Sequence, residues 1–202
     1  MNLTKLFETQ KQLDDRIYDR FPELRGQDNL SWKILALQVE LGECANEWRG
    51  FKKWSEDQRP RTSKQTESCR TCTGAGVVII GRVNRVPVHA SCEECEGKGG
   101  KFKNPLLEEY VDCLHFILSI GLEVGTEYFS IIESERFEEG DVTHQFLMVL
   151  DYATGMKEDD YCSELLTSFV ILGRMLGFTW EQIEQAYYDK NEINHERQAS
   201  GY

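Results

Sequence analysis

A chain of 202 residues is somewhat longer than an average domain of about 150, so it points to one compact domain carrying an insertion or a small satellite. Hydrophobic residues make up 40% and charged residues 29%, which leaves enough apolar material for a core and excludes wholesale disorder. The balance of 23 Lys and Arg against 35 Asp and Glu, net −12, excludes a general nucleic-acid or anionic-membrane binder, though not an anionic substrate held through a metal.

Residues 3–20 carry Leu6, Leu13, Ile17 and Tyr18 between polar residues, predicting an amphipathic helix stopped near Phe21 and Pro22. Residues 31–49 repeat the pattern more clearly, with Ile34, Leu37, Leu41, Ala45 and Trp48 in one stripe. From Ser55 to about Lys103 the periodicity vanishes into a glycine-rich stretch. Its one β-like run is Val77 to Ile80, with Val83, Val86 and Val88 as a return strand. Residues 105–124 are apolar almost all round and predict a buried central helix. Further helices are expected at about 141–154, 160–176 and 180–197; Gly177 closes one, and Thr179 with Gln182 opens the next through a capping box. The fold class is therefore an all-α helical bundle, residues 1–57 and 103–202, interrupted by a small β/loop insert at 58–102. The apolar stretches around Leu114–Leu122 and Leu165–Leu172 fall short of the roughly 18 residues needed to span a bilayer. With no apolar leader after Met1, a cytoplasmic protein without membrane contact is expected.

Glu40 and Glu43 are three residues apart on the second helix, about 60° apart on one face. Glu109 and Asp112 repeat the spacing on the central helix, where little freely solvated face is available to a carboxylate. If the two helices pack on their apolar stripes the four acids converge, and like charges about 4 Å apart cost roughly 4 kcal/mol per pair at an effective dielectric near 20. Such a cluster needs a cation or protons. All-oxygen ligation suits a hard ion, Mg²⁺ above others, because it shares itself between carboxylates and substrate phosphates. The plainer alternative is two pairs of acids on solvated helix faces.

The insert holds Cys69-x-x-Cys72 and Cys92-x-x-Cys95 separated by 19 residues, the spacing of a four-thiolate zinc site. Glycines after each pair, at 74, 76, 97 and 99, allow backbone turns toward sulfur, and the units resemble the C-x-x-C-x-G-x-G repeats of J-domain chaperones. A closed Cys₄ site would hold structural Zn²⁺; a redox dithiol pair and metal-free loop cysteines are the alternatives. His89 is a spare ligand that four cysteines make unnecessary. Among the seven cysteines this leaves Cys44, Cys113 and Cys162 as buried thiols in helices, an odd total that fits a reducing compartment better than a disulfide framework. Arg59, Arg61, Lys64, Arg70, Arg82, Arg85, Lys98, Lys101 and Lys103 make the region locally basic, as contact with nucleic acid or a protein, or bracing of a dimer, would require.

Near the C-terminus Lys190, Asn194 and Arg197 share one helix face, followed by Gln198. The run from Leu35 through Glu40, Glu43, Asn46 and Phe51 to Trp54 is one part of a larger pattern. With Glu108 to Phe116 and the K-N-x-x-N-x-x-R-Q-x-x-G-Y ending at Lys190–Tyr202, it resembles the dimeric all-α dUTPases of the MazG-like NTP pyrophosphatase superfamily. The resemblance covers about 1–57 and 103–202. It implies hydrolysis of dUTP to dUMP and pyrophosphate by a homodimer, with Glu40, Glu43, Glu109 and Asp112 holding Mg²⁺ and Glu40, or else Glu43, doubling as the base. It further implies that Lys190 and Arg197 contact phosphates and that Asn194, with Gln198 beside it, fixes sugar or base. Tyr202 would close over the nucleotide, Phe116 beside His115 would stack on deoxyribose or uracil, and Gln10 would contact uracil. Lys53 and Trp54 would form a side wall. The rival readings are the same reaction on another nucleotide such as dCTP, and a non-catalytic helical dimer presenting the zinc insert.

Overall fold

The computed structural model describes residues 3–125, 141–156 and 161–201 of the chain. Two compact units result, Met1–Pro60 with Leu106–Tyr202, and Arg61–Pro105.

The larger unit contains six α-helices among the described residues. Helix α1 (Leu3–Arg20) buries Leu6, Gln10, Leu13 and Asp14 along one face and ends before a 3₁₀ turn at Pro22–Leu24. Helix α2 (Leu30–Trp48) starts where the Asp28 carboxylate accepts the Leu30 N–H, and stops at Arg49, whose φ of 66° no helix continues. Helix α3 (Pro105–Glu123) is buried along most of its length, including Leu106, Val111, Leu114, Ile117 and Leu118. Helix α4 (Val142–Gly155) is capped by the Asp141 side chain accepting the Thr143 N–H, and packs on α2 and on α5 (Cys162–Met175). The α5 terminus closes at Gly177, whose φ of +88° permits paired hydrogen bonds from Gly177 to Arg174 and from Phe178 to Gly173. Helix α6 (Trp180–Ser200) opens with the Thr179/Gln182 capping box, runs three residues past its expected end, and packs on α1.

Leu37 and Leu41 of α2, Tyr110 and Leu114 of α3, Phe146 of α4, Phe169 of α5 and Tyr187 of α6 belong to one apolar cluster. Each fully buried side chain of this size contributes about 1.5–3 kcal/mol. Tyr110 stacks on Phe169 at 4.2 Å between centroids and donates to its carbonyl at 2.9 Å. Gly173, one turn further along α5, leaves room for the Tyr110 hydroxyl, which a Cβ would strike.

In the smaller unit β2 (Val77–Val83) and β3 (Val86–Ser91) form a hairpin. Asn84 and Arg85 both turn with positive φ, matching the right-handed twist of the strands. A second antiparallel pair, β1 (Lys64–Ser68) with β4 (Gly100–Lys103), brings the ends of the unit together. The sequence does not announce β1, since Lys-Gln-Thr-Glu-Ser is polar throughout and exposed on both faces. The only apolar cluster of this unit is Cys69, Cys72 and Cys92 with Val78 and Cys95 against them, too little to hold 45 residues by burial alone.

Among the described residues no single helix is long and apolar enough to cross a membrane. Tyr202 lies outside the described residues.

Candidate active site

Helices α2 and α3 pass one another in opposite senses. Glu40 and Glu43 of α2 meet Glu109 of α3, with one carboxylate oxygen from each lying within 4.8 Å of the others. Seven residues back along α2, about 10 Å at 1.5 Å per residue, Lys33 meets Ser119 and Glu123 further along α3.

The two ends differ in how their carboxylates are paired, the Lys33 end holding Glu123 and Asp14 around one buried lysine. At the acidic end Glu40 is pushed up to about 7 by burial and then by the charges of Asp112 and Glu43, against the pull of Lys190. Glu109 is likewise pushed to about 7 by burial, Asp112 and Glu43. Asp112 stands apart from the three glutamates in its pairing: Lys190 of α6 reaches its Oδ2 at 2.6 Å and Glu108 at 3.5 Å. Burial still raises the Asp112 carboxyl above its ordinary value despite that partner. Asp112 is not among the three carboxylates that meet within 4.8 Å, and Lys190, expected at the phosphates, pairs with it beside that cluster.

A cavity of about 360 Å³ runs between these ends. Its wall includes Glu40 and Asp112, then His115 and Phe116 one turn on, with Gln10 from α1 and Asn194, Arg197 and Gln198 from α6. Leu13, Asp14, Ile17, Tyr18, Trp32, Lys33 and Ser119 complete it, and none of these was anticipated as a site residue. Lys33 interrupts the apolar stripe of α2 at an inward position, which is the signal that marks it. Lys53 and Trp54 are not part of the wall; Trp54 is 77% exposed and meets only the edge of Phe51 in ring contact, at 5.7 Å.

At the other end Lys33, 2% exposed, donates to Glu123 Oε2 at 2.7 Å, to the Tyr18 hydroxyl at 2.9 Å and to the Ser119 carbonyl at 3.3 Å, with Asp14 Oδ2 at 3.8 Å. Asp14 accepts the Ser119 hydroxyl at 2.6 Å and the Gln10 amide at 2.8 Å. Gln10 Oε1 in turn faces His115 Nδ1 at 2.8 Å and accepts the Tyr187 hydroxyl at 3.0 Å, and the His115 ring stacks on Tyr187 at 4.2 Å. Burial, with Lys190 and His195, drives the His115 imidazole down to about 3, so it is neutral. His115 Nε2 and Gln198 Oε1 are buried without a hydrogen-bond partner among the described residues. Leaving such an atom unpaired costs about 1–3 kcal/mol, which a ligand at this wall would recover.

In the smaller unit Cys69, Cys72, Cys92 and Cys95 bring their sulfurs within 4.8 Å of one another, and none of the seven cysteines is in a disulfide. The Cys69–Cys92 and Cys72–Cys95 separations are 3.8 and 3.7 Å. Four sulfurs about 2.3 Å from a tetrahedral zinc ion lie about 3.8 Å apart. The amides of Gly76 and Gly99 donate to Cys72 and Cys95 sulfur at 3.2 Å, and a Cβ at either glycine would strike the facing backbone. Cys44, Cys113 and Cys162 are buried.

A family model described as dUTPase matches residues 2–69 and 97–202, and no curated protein matches the chain. The chain belongs to the all-α dUTPase family, and is accordingly a nucleotide pyrophosphatase that hydrolyses dUTP. The unmatched residues 70–96 contain the β2–β3 hairpin and three of the four clustered cysteines.

Proposed function

We propose that this dUTPase converts dUTP to dUMP and pyrophosphate with Mg²⁺ held by Glu40, Glu43, Glu109 and Asp112. The observation that carries this reading is the approach of three carboxylates to within 4.8 Å, one of them on the wall of a nucleotide-sized cavity, with Glu40 and Glu109 pushed to about 7 by burial and then by their acidic neighbours. A hard divalent ion suits that donor set, and when bound it neutralises triphosphate charge and orients the phosphates. Glu40, the one of the three clustered glutamates on the cavity wall, takes the proton of the attacking water. Arg197 binds phosphate as a fork of donors; Lys190 favours the charged form of Asp112 against burial and adds positive charge beside the leaving group. Asn194 and Gln198 fix the sugar, Phe116 stacks on the base or deoxyribose, and Gln10 and His115 face the base.

Zn²⁺ in the cysteine quartet is structural, supported by sulfur separations matching a tetrahedral site. The protein acts as a homodimer: Leu35 and Val39 of α2 and Leu147 of α4 are exposed on helices linked by the Gln38–Thr154 hydrogen bond, an apolar surface a second copy would cover. Thiols in this number suit a reducing, cytoplasmic setting.

The test is pyrophosphate release from dUTP, dCTP, dTTP and UTP, with Mg²⁺ and with EDTA. Release that survives EDTA would remove the metal assignment, and preference for dCTP would overturn the substrate.

A further inference from the structure

The polar chain at the Lys33 end of the cavity has a direction. Both Asp14 oxygens accept, one from Ser119 and one from Gln10. Gln10 therefore turns its NH₂ to Asp14 and its carbonyl oxygen to His115 and Tyr187. A carbonyl cannot donate, so His115 Nδ1 carries the ring proton and Nε2 is a bare lone pair. That atom, like Gln198 Oε1 on the same wall, has no hydrogen-bond partner among the described residues. Asp14 is desolvated, and a carboxyl buried without a cation takes up a proton and becomes a donor itself. The nearby positive charge is Lys33, anchored by Glu123 and Tyr18.

We propose that Lys33 is a positioning residue for base selection: by holding Asp14 as an acceptor it sets the Gln10 amide, and through it the tautomer that leaves His115 Nε2 unprotonated. This rests on the dUTPase reading above and deepens it. A ring nitrogen without a proton suits the N3–H of uracil, a donor, and opposes the N3 of cytosine, whose lone pair would face another lone pair. A site built around one obligatory hydrogen bond rejects the analogue that lacks it far more strongly than a shape-selective pocket does.

Lys33→Met removes the charge at similar length; the double variant Lys33→Met/Glu123→Gln removes the ion pair together, so that folding is kept if the single change is not tolerated. Lys33→Arg retains the charge. The ¹⁵N spectrum of imidazole-labelled protein without nucleotide reads which His115 nitrogen is protonated. The wild type and Lys33→Arg are expected to show Nδ1–H alone, and the methionine variants a mixture of both tautomers. In turnover, the dUTP-to-dCTP ratio of kcat/KM is expected to fall at least about tenfold in the methionine variants, chiefly through KM. The dUTP-to-UTP ratio, set by the ribose, is expected to hold. An unchanged His115 tautomer in the folded methionine variants, or an unchanged dUTP-to-dCTP ratio, overturns the proposal. Because the spectrum needs no turnover, that failure is distinct from a wild type that does not hydrolyse dUTP.

Discussion

Lys190 of α6 and Asp112 of α3, 78 residues apart in the chain, are joined by a 2.6 Å hydrogen bond beside the three clustered glutamates. The lysine therefore competes with any cation for that carboxylate while also opposing the upward push of burial on it. Lys190→Met is expected to lower kcat/KM for dUTP at least about tenfold, yet to lower the Mg²⁺ concentration giving half-maximal rate, since a positive charge next to the metal ligands is gone. A rise in that concentration would mean that Lys190 organises the ligands instead.

Glu40→Gln and Asp112→Asn keep side-chain volume and remove charge. Each is expected to reduce kcat by at least about 100-fold with the far-UV circular dichroism of the bundle intact. Retention of turnover in both would remove Glu40 and Asp112 from the metal site.

Glu40 and Glu109 titrate near 7 in the folded protein, because burial and then neighbouring carboxylates disfavour their charged forms, against an ordinary value of 4.5. Between those values the folded state binds more protons than the unfolded chain, so stability falls as pH rises from about 4.5 through about 7. In EDTA, the thermal midpoint of the wild type is expected to fall across this interval relative to Glu40→Gln, and Mg²⁺ to restore more of it at the alkaline end. Parallel pH curves for the two proteins would contradict the coupled cluster.

Elemental analysis is expected to give about one zinc per chain, lost in Cys92→Ser, with collapse of amide dispersion confined to Arg61–Pro105. Full dispersion of that unit after complete zinc removal would show that the metal is not its core.

Helix existence was legible because its signals are local: the apolar stripe of α2, the Thr179–Gln182 box and the Gly177 stop all act within a few residues. The Cys69–Cys95 spacing was legible for the same reason, since each pair sits on its own turn. The resemblance carried by Glu40, Glu43 and the Lys190–Tyr202 ending likewise needed no coordinates. Strand β1 was not legible, because a polar segment exposed on both faces has no hydrophobic period. Nor could Lys53 and Trp54 be separated from the cavity by motif position alone.

By itself the sequence determined the bundle, the family and the residue types available to bind metal, because periodicity, caps and motifs are written in neighbouring residues. Only the tertiary structure decided that Lys190 faces Asp112, and that Lys33, Asp14, Ser119 and Gln10 close the cavity as one directed polar chain. A charged residue on a helix reads as solvated until another helix takes its water away, and the partners that then satisfy it come from α1, α3 and α6, far along the chain.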